Sequence, residues 1–212
     1  MRPSEEVCRF DVSTGIIEAI VENPGAPRGI ALVCHPHPLF GGENTNKVVQ
    51  TLARVFAHLG YLAVRPNFRG VGGSTGTHND GIGESADMLA LIEEAKRRYG
   101  ELPVALAGYS FGAYVQTRVA RALAESGRPA QGMAIVGTAA GHIEGLRRYP
   151  TEAVAKDTIV IHGGRDETVP LANVLAWAEP LDLPVVVIPG ADHFFHRRLH
   201  IIRDIVVSAW HH

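Results

Sequence analysis

The chain has 212 residues, 46% of them hydrophobic, and 20 Lys and Arg residues against 22 Asp and Glu residues give a formal charge of −2. This length suits one core of ordinary size, so a single domain spanning residues 1–212 is expected. The near balance of charge gives no electrostatic reason to expect a nucleic acid or an anionic membrane as partner. No long, uninterrupted apolar run occurs, so no membrane span is expected.

The chain start and the cysteine content favour a cytoplasmic location. The first twelve residues contain no continuous apolar segment, so no signal peptide is expected. Cys8 and Cys34 are too few for a disulfide framework and suit a reducing compartment. His211 and His212 close the chain as either a native end or a tag remnant, and they are left out of the site candidates. The sequence allows a homo-oligomer without indicating one.

Short apolar runs alternate with longer amphipathic runs along the chain. Runs at 7–12 and 15–22, separated by a turn, predict a β-hairpin. Beyond the hairpin, the patterns predict strands at 30–35, 61–67, 103–109, 131–139, 157–164 and 183–190, and helices at 46–60, 83–100, 111–126, 169–178 and 195–210. Because strands alternate with helices, we predict an α/β fold. Its mostly parallel central sheet has helices on both faces, and the hairpin adds antiparallel strands at one edge.

A serine stands between two glycines where a predicted strand meets a predicted helix, in the sequence Gly-Tyr-Ser-Phe-Gly at 108–112. Reactive groups in such a sheet belong at the carboxyl ends of the strands. The pattern Gly-x-Ser-x-Gly holds a serine on a sharp turn above the sheet, where larger side chains at the glycine positions collide with the neighbouring strand and helix. Ser110 is therefore the candidate nucleophile, and a tight turn without chemistry is the alternative.

A serine hydroxyl needs a base to take its proton, and the base needs an acid to orient it. Asp166 follows the predicted strand at 157–164, and His193 follows the strand at 183–190. If the sheet is parallel, both lie on the same rim as Ser110. The chain order serine, acid, histidine is also the order used by hydrolases with a nucleophile elbow.

Four other residues compete for the acid and base roles. For the acid, Glu167 is interpreted as a solvent-exposed or helix-capping residue, and Asp192 as a turn residue. For the base, His162 lies within or at the end of a strand and is interpreted as a packed histidine. His196 falls where the last helix is predicted to begin and is interpreted as a surface or supporting residue.

Acyl transfer also needs two backbone N–H groups directed at the developing oxyanion. One is expected from Phe111, the residue after the nucleophile. The second is expected from the loop after the strand at 30–35, where Pro36 and Pro38 have no N–H to offer. His37 and Leu39 remain, and Leu39 is preferred because it lies where the loop must turn toward the next helix.

Five stretches resemble the α/β-hydrolase superfamily, and within it the small bacterial serine hydrolases that carry a His-Pro-His-Pro loop and lack a substantial lid. The stretches are HPHPLFGGENTNKVV, RPNFRGVGGSTG, GYSFGA, HGGRDETVP and GADHFF, between residues 35 and 195. The resemblance implies an esterase or related hydrolase with Ser110 as nucleophile, Asp166 as acid and His193 as base, and no cofactor. Glu43 and Asn44 depart from the Thr-Met pair expected there, which affects the pocket mouth.

The superfamily inserts its lid between the strands predicted here at 131–139 and 157–164. The connection, residues 139–156, can hold little more than one short helix, so we expect a minimal lid or none. Without a large apolar cap a long acyl chain has nowhere to be buried. The hypothesis is therefore a small-molecule substrate, a small or short-chain carboxylic ester. A thioesterase, lactone hydrolase or peptidase with the same triad, and a non-catalytic binding protein on this fold, are the alternatives.

Two further motifs invite other functions. The glycine-rich stretch at 67–76 has Thr75 where a dinucleotide-binding loop needs glycine, and no helix follows it directly. His35 with His37, and His193 with His196, have metal-ligand character, but intervening prolines and separate loops argue against convergence on zinc. Neither a nucleotide nor a metal is expected.

Overall fold

The computed structural model describes residues 3–145 and 147–211, and Met1, Arg2, Leu146 and His212 lie outside the described part. The strands are β1 (Ser4–Val12), β2 (Gly15–Asn23), β3 (Gly29–Cys34), β4 (Tyr61–Pro66), β5 (Val104–Tyr109), β6 (Gly132–Val136), β7 (Gly141–His142), β8 (Arg148–Tyr149), β9 (Ile159–Gly163) and β10 (Val185–Ile188). The helices are α1 (Lys47–His58), α2 (Ile82–Tyr99), α3 (Phe111–Glu125), α4 (Leu171–Ala178) and α5 (Leu199–Ala209).

Eight of these strands form one sheet in the order β1-β2-β4-β3-β5-β6-β9-β10. β1 pairs antiparallel with β2, and β2 pairs antiparallel with β4, while the pairings from β4 through β10 are parallel. The predicted α/β-hydrolase fold, with a mostly parallel sheet and an antiparallel N-terminal hairpin, is confirmed. The carboxyl ends of β5, β9 and β10 consequently lie on one edge.

Alternating side chains of the buried strands pack into two separate hydrophobic cores, one on each face of the sheet. In β3, Ile30 and Leu32 pack into a cluster that includes residues of α2, α3 and α4. Ala31 and Val33, on the opposite face, pack into a cluster that includes residues of α1 and α5. This alternation is the period of two that a strand imposes, and it explains why a strand covered on both faces is apolar throughout.

One segment differs from its predicted form. Helix α5 begins at Leu199 rather than near residue 195, because Phe195 and Arg197 adopt positive φ angles of 53° and 60°, which a helix does not tolerate. The described part of the connection at 139–156 contains the two-stranded hairpin β7–β8, which agrees with the expected minimal lid. Across residues 3–145 and 147–211, none of the helices combines the length and apolar character that crossing a membrane requires.

Candidate active site

Ser110 lies on a strained turn between β5 and α3. Its φ of +57° is in a region that non-glycine residues rarely occupy. A Cβ at Gly108 would lie 2.6 Å from the carbonyl oxygen of Gly112, and a Cβ at Gly112 would lie 2.4 Å from the carbonyl oxygens of Cys34 and His35. Both glycines are therefore required for the close packing of helix α3 against β3 and β5 that presents the serine.

The structure brings the three candidate catalytic side chains into one hydrogen-bonded chain. His193 Nε2 lies 3.0 Å from Ser110 Oγ, and His193 Nδ1 lies 2.7 Å from Asp166 Oδ2. The exposed fractions of Ser110, Asp166 and His193 are 8%, 8% and 5%. Since the carboxylate accepts a hydrogen bond from the Nδ1–H group, Nε2 is left as the acceptor for the serine hydroxyl. The arrangement can therefore activate a serine oxygen as a nucleophile.

The carboxylate of Asp166 is held by its own turn. Asp166 Oδ1 accepts hydrogen bonds from the N–H groups of Thr168 at 3.0 Å and Val169 at 2.7 Å. This leaves Oδ2 facing the imidazole of His193. A carboxylate that accepts several hydrogen bonds is fixed in orientation, so the imidazole ring is fixed with it.

Tyr109 holds the backbone of the candidate base, His193. The sequence reasoning did not identify this contact. Its hydroxyl donates to the backbone carbonyl of His193 at 2.7 Å, and the two rings lie 5.2 Å apart. Burial raises the pKa of Tyr109, so the hydroxyl remains a donor at neutral pH. The only signal in the sequence was the position of Tyr109 inside the Gly-x-Ser-x-Gly pattern, which specifies no residue there.

The structure of the loop after β3 does not support Leu39 as the second oxyanion donor, which the sequence reasoning preferred. The N–H of Leu39 donates to Nδ1 of His37 at 3.3 Å. Burial, together with the neighbouring His78, lowers the pKa of His37 to about 4, so its Nδ1 lone pair stays available for this bond at neutral pH. Within residues 3–145 and 147–211, no hydrogen bond engages the N–H of His37 itself. The alternative, His37, is therefore better placed to donate to a substrate.

The peptide group that carries the His37 N–H is fixed by His35. His35 Nε2 accepts the N–H of Phe68 at 2.9 Å, so the proton is on Nδ1, which donates to the carbonyl of Pro36 at 2.7 Å. In a planar trans peptide, the N–H of His37 points opposite to that carbonyl. Gly42 packs tightly against the same peptide: a Cβ at this position would lie 2.1 Å from the carbonyl oxygen of Pro36.

Because the imidazole of His35 is buried, we expect the protein to lose stability on acidification. Burial lowers its pKa to about 4 from the usual 6.5, so between these values the unfolded chain binds a proton that the folded chain does not. The stability that neutral His35 allows is therefore fully present above pH 6.5. As the pH falls toward 4, protonation of the unfolded chain lowers the free energy of unfolding by about 3 kcal/mol through this group. Urea unfolding from pH 7.5 to 4.5 measures it. His35→Gln is expected to show a smaller decrease than wild type, and an equal decrease would contradict the assignment.

Comparisons with known proteins identify the family of this chain. The sequence model of the family described as "Serine aminopeptidase, S33" matches residues 25–156. The chain belongs to this family. It is also 30% identical to an uncharacterized protein of Rickettsia prowazekii, over 96% of this chain and 90% of that protein.

Two solved structures share both sequence and fold with this S33 family member. An α/β serine hydrolase homologue from Coxiella burnetii is 33% identical, with a TM-score of 0.83 and coverage of 97% of each chain. An α/β serine hydrolase without a lid from Xanthomonas campestris is 32% identical, with a TM-score of 0.82, covering 97% of this chain and 93% of that one. The resemblance to small lidless α/β-hydrolases is thus confirmed.

A cavity of about 610 Å³ opens at Ser110 in this hydrolase. Its walls come from the loop after β3, the β7–β8 hairpin, and the turns after β9 and β10. The apolar lining residues include Phe40, Phe111, Ile143, Tyr149 and Val169. Glu144 and Glu167 line the same cavity and are exposed. The site is a mostly apolar pocket beside Ser110, open to solvent and with two acidic side chains in its walls.

The competing acid and base candidates lie outside the hydrogen-bonded chain of Ser110. Glu167 is exposed, and Asp192 pairs with the exposed His196 at 2.5 Å. His162 is fully buried within β9, as interpreted from the sequence, although its ring also approaches Asp166. These positions leave His193 as the histidine that reaches the serine.

The remaining motifs have structural roles. Ser74 and Thr75, in the glycine-rich stretch, exchange hydrogen bonds with the backbone of β2. Asn44 is buried, and its N–H donates to the side chain of Asn67. Burial strongly raises the pKa of the Cys34 thiol, which keeps it protonated. In the described part of the chain, no group of three or more His, Cys, Asp or Glu side chains is arranged to hold a metal ion.

Proposed function

We propose that the protein is a carboxylesterase that cleaves small or short-chain carboxylic esters through an acyl-enzyme. The observation that carries the proposal is the continuous contact from Ser110 Oγ through His193 to Asp166. Its position beside an apolar cavity of about 610 Å³ supports a small organic substrate. Membership of a serine hydrolase family is consistent with a covalent serine mechanism.

In the first half of the proposed cycle, His193 Nε2 takes the hydroxyl proton as Ser110 Oγ attacks the ester carbonyl. Collapse of the tetrahedral intermediate breaks the bond to the alcohol oxygen, and His193 returns the proton to that oxygen. In the second half, a water molecule gives its proton to His193 and attacks the acyl-enzyme. The carboxylic acid leaves as Ser110 recovers its proton. Asp166 stabilises the imidazolium in both halves.

The proposed oxyanion hole consists of the N–H groups of Phe111 and His37. The N–H of Phe111 belongs to the first residue of α3, where no preceding helical turn supplies an acceptor. Both groups are carried by fixed peptides, one by the nucleophile elbow and the other by the clamp of His35 and Gly42. Donors that are fixed before the reaction stabilise the developing charge without reorganisation.

The expected size of the acyl group follows from the short connection between β6 and β9. The β7–β8 hairpin contributes Ile143 and Tyr149 to one wall, but it does not roof the pocket. An acyl chain longer than the pocket therefore projects into water and gains little free energy from burial.

A chain-length series of p-nitrophenyl esters tests the substrate class. We expect kcat/KM to be highest for acetate to butyrate and to fall for longer chains, since carbons that project into water gain little free energy from burial. Ser110→Ala is the control for non-enzymatic hydrolysis. A clear preference for palmitate or for a long-chain lysophospholipid would contradict the proposal.

A second candidate, an aminopeptidase, is favoured by the family description and by the two carboxylates at the cavity wall. Glu144 and Glu167 are suitable for a free amino terminus, but both are exposed, so water and salt weaken their field. We expect amino-acid anilides to be turned over far more slowly than the matching amino-acid esters. Comparable kcat/KM on anilides, lost in Glu144→Gln and Glu167→Gln, would favour the aminopeptidase.

A further inference from the structure

We propose that His162 is a positioning residue of the triad, which fixes the turn that carries Asp166 and tunes the charge on its carboxylate. The inference rests on the proposed function for its kinetic consequences. His162 does not contact Ser110 or the cavity. It acts through Asp166, and so its role differs from that of His193.

The imidazole of His162 lies directly behind the catalytic acid. The residue is in β9, four positions before Asp166, and is fully buried. Its Nε2 is 3.0 Å from the carbonyl oxygen of Val169 and 3.4 Å from Asp166 Oδ2. One ring nitrogen thus faces both the end of the Asp166 turn and the carboxylate itself.

These contacts settle the protonation of the ring. The Val169 carbonyl only accepts, so Nε2 carries a proton and donates it. Nδ1 is buried and has no hydrogen-bond partner among the described residues, so a proton there would be a buried donor without an acceptor. Burial also lowers the pKa of His162. The ring is therefore neutral, with its proton on Nε2.

Val169 is held through both of its backbone polar groups, one by Asp166 and the other by His162. The N–H of Val169 donates to Asp166 Oδ1 at 2.7 Å, while the carbonyl of Val169 accepts from His162 at 3.0 Å. The carboxylate is thus attached to a turn that is itself attached to the strand. Without the imidazole, the Val169 carbonyl loses its anchor, and both the carboxylate and the pocket wall at Val169 can shift.

The Nε2–H also acts on the charge of the carboxylate. At 3.4 Å from Oδ2 the contact is longer than a normal hydrogen bond, but the N–H dipole still stabilises negative charge in this buried setting. Oδ2 is the oxygen that accepts from His193. Removing the dipole leaves the carboxylate with more effective negative charge, so it stabilises the protonated form of His193 more strongly.

The titratable groups around this centre are few. Asp166 and His193 face His162 directly, and the Tyr109 ring packs against His193 from β5. Asp192 precedes His193 in the chain and pairs with His196. Among the contacts of these groups, substitution at position 162 alters only those that His162 itself makes.

Two substitutions separate positioning from simple support of the fold. His162→Leu fills the space without a donor, and His162→Gln can keep an N–H near the position of Nε2. For His162→Leu we expect kcat/KM on a short-chain ester to fall by about 10- to 100-fold, as when a catalytic group is slightly misplaced. The low-pH limb of its kcat/KM profile is expected to move to higher pH. His162→Gln is expected to recover most of the rate and to return the limb toward wild type.

A matched control shows what lost packing alone does. Ile161→Ala removes a fully buried side chain of the same strand that packs into the opposite core. It is expected to lower the urea midpoint and to leave the shape of the pH profile unchanged. The proposal is overturned if His162→Leu behaves like Ile161→Ala, or if the Leu and Gln variants lose the same rate with an unmoved profile.

A measurement without substrate keeps the inference separate from the esterase proposal. In ¹⁵N-histidine NMR spectra of the wild-type protein, His162 is expected as the neutral Nε2–H tautomer. The His193 Nδ1–H signal is expected to shift downfield in His162→Leu, because the more negative Asp166 carboxylate binds that proton more strongly. A wild type without esterase activity but with these signals would end the esterase proposal alone. A protonated or Nδ1–H His162 would end the positioning proposal alone.

Discussion

Ser110→Ala is expected to remove ester turnover while leaving the fold intact. The substitution deletes the oxygen that contacts His193 Nε2 at 3.0 Å, and it keeps the Cβ that the turn already accommodates at φ +57°. Loss of the nucleophile in triad hydrolases lowers kcat by about 10⁶-fold. Steady-state kinetics on p-nitrophenyl acetate measure this effect. The temperature of unfolding is expected to change little, because no core side chain is removed.

Ser126→Ala provides the matched control for this experiment. Ser126 follows the last residue of α3, and its hydroxyl donates to the carbonyl of Leu123, far along the helix from the site. Its substitution should leave kcat and KM at wild-type values. Retention of wild-type rates by Ser110→Ala on several esters would show that another residue performs the chemistry.

Gly42→Ala is expected to lower kcat without a comparable change in KM. The added methyl group would lie 2.1 Å from the carbonyl oxygen of Pro36 and 2.7 Å from that of His37, so the loop backbone must move. The peptide that moves is the one whose N–H we propose as an oxyanion donor. Loss of one such donor costs about 10²- to 10³-fold in kcat. Stopped-flow and steady-state kinetics on a short-chain ester separate acylation from binding.

Gly41→Ala separates this effect from ordinary strain in the same loop. A Cβ at Gly41 meets no atom within 4 Å, but its φ of +76° is unfavourable for alanine. The expected cost is about 1 kcal/mol of stability, with kcat retained. If Gly42→Ala keeps wild-type kcat, or if Gly41→Ala loses as much, the His37 peptide is not the donor.

The sequence was sufficient to predict the fold and to select the candidate triad. Each of these features is local: a Gly-x-Ser-x-Gly pattern after an apolar run, and an acid and a histidine just past two later strands. Parallel pairing of β5, β6, β9 and β10 then carries Ser110, Asp166 and His193 to one edge. The physical rule that all parallel strands end on the same side was enough to connect residues up to 83 positions apart.

The choice between Leu39 and His37 was beyond sequence reasoning because it depends on the orientation of one peptide plane. That orientation is fixed by a bond between His35 and the N–H of Phe68, which is 33 positions away. The same limit applies to His162. Its burial was expected from its place in a strand, but its approach to Asp166 depends on how the turn at 166–169 folds back.

The start of α5 was mispredicted for a related reason. Phe195 and the residues after it carry a helical pattern, but the hydrogen bonds of Asp192 to the backbone N–H groups of Phe195 and His196 favour a turn there. In the connection at 139–156, the short β pairing between β7 and β8 was not predicted, since two-residue strands leave no periodic signal.

Intact mass after treatment with a fluorophosphonate, on wild type and on Ser110→Ala, tests the central claim most directly. We predict a single adduct on wild type and none on the variant, because the reagent phosphonylates only a serine oxygen activated by its base. No adduct on wild type, or equal labelling of both proteins, would contradict an activated Ser110 and would favour a binding protein on this fold.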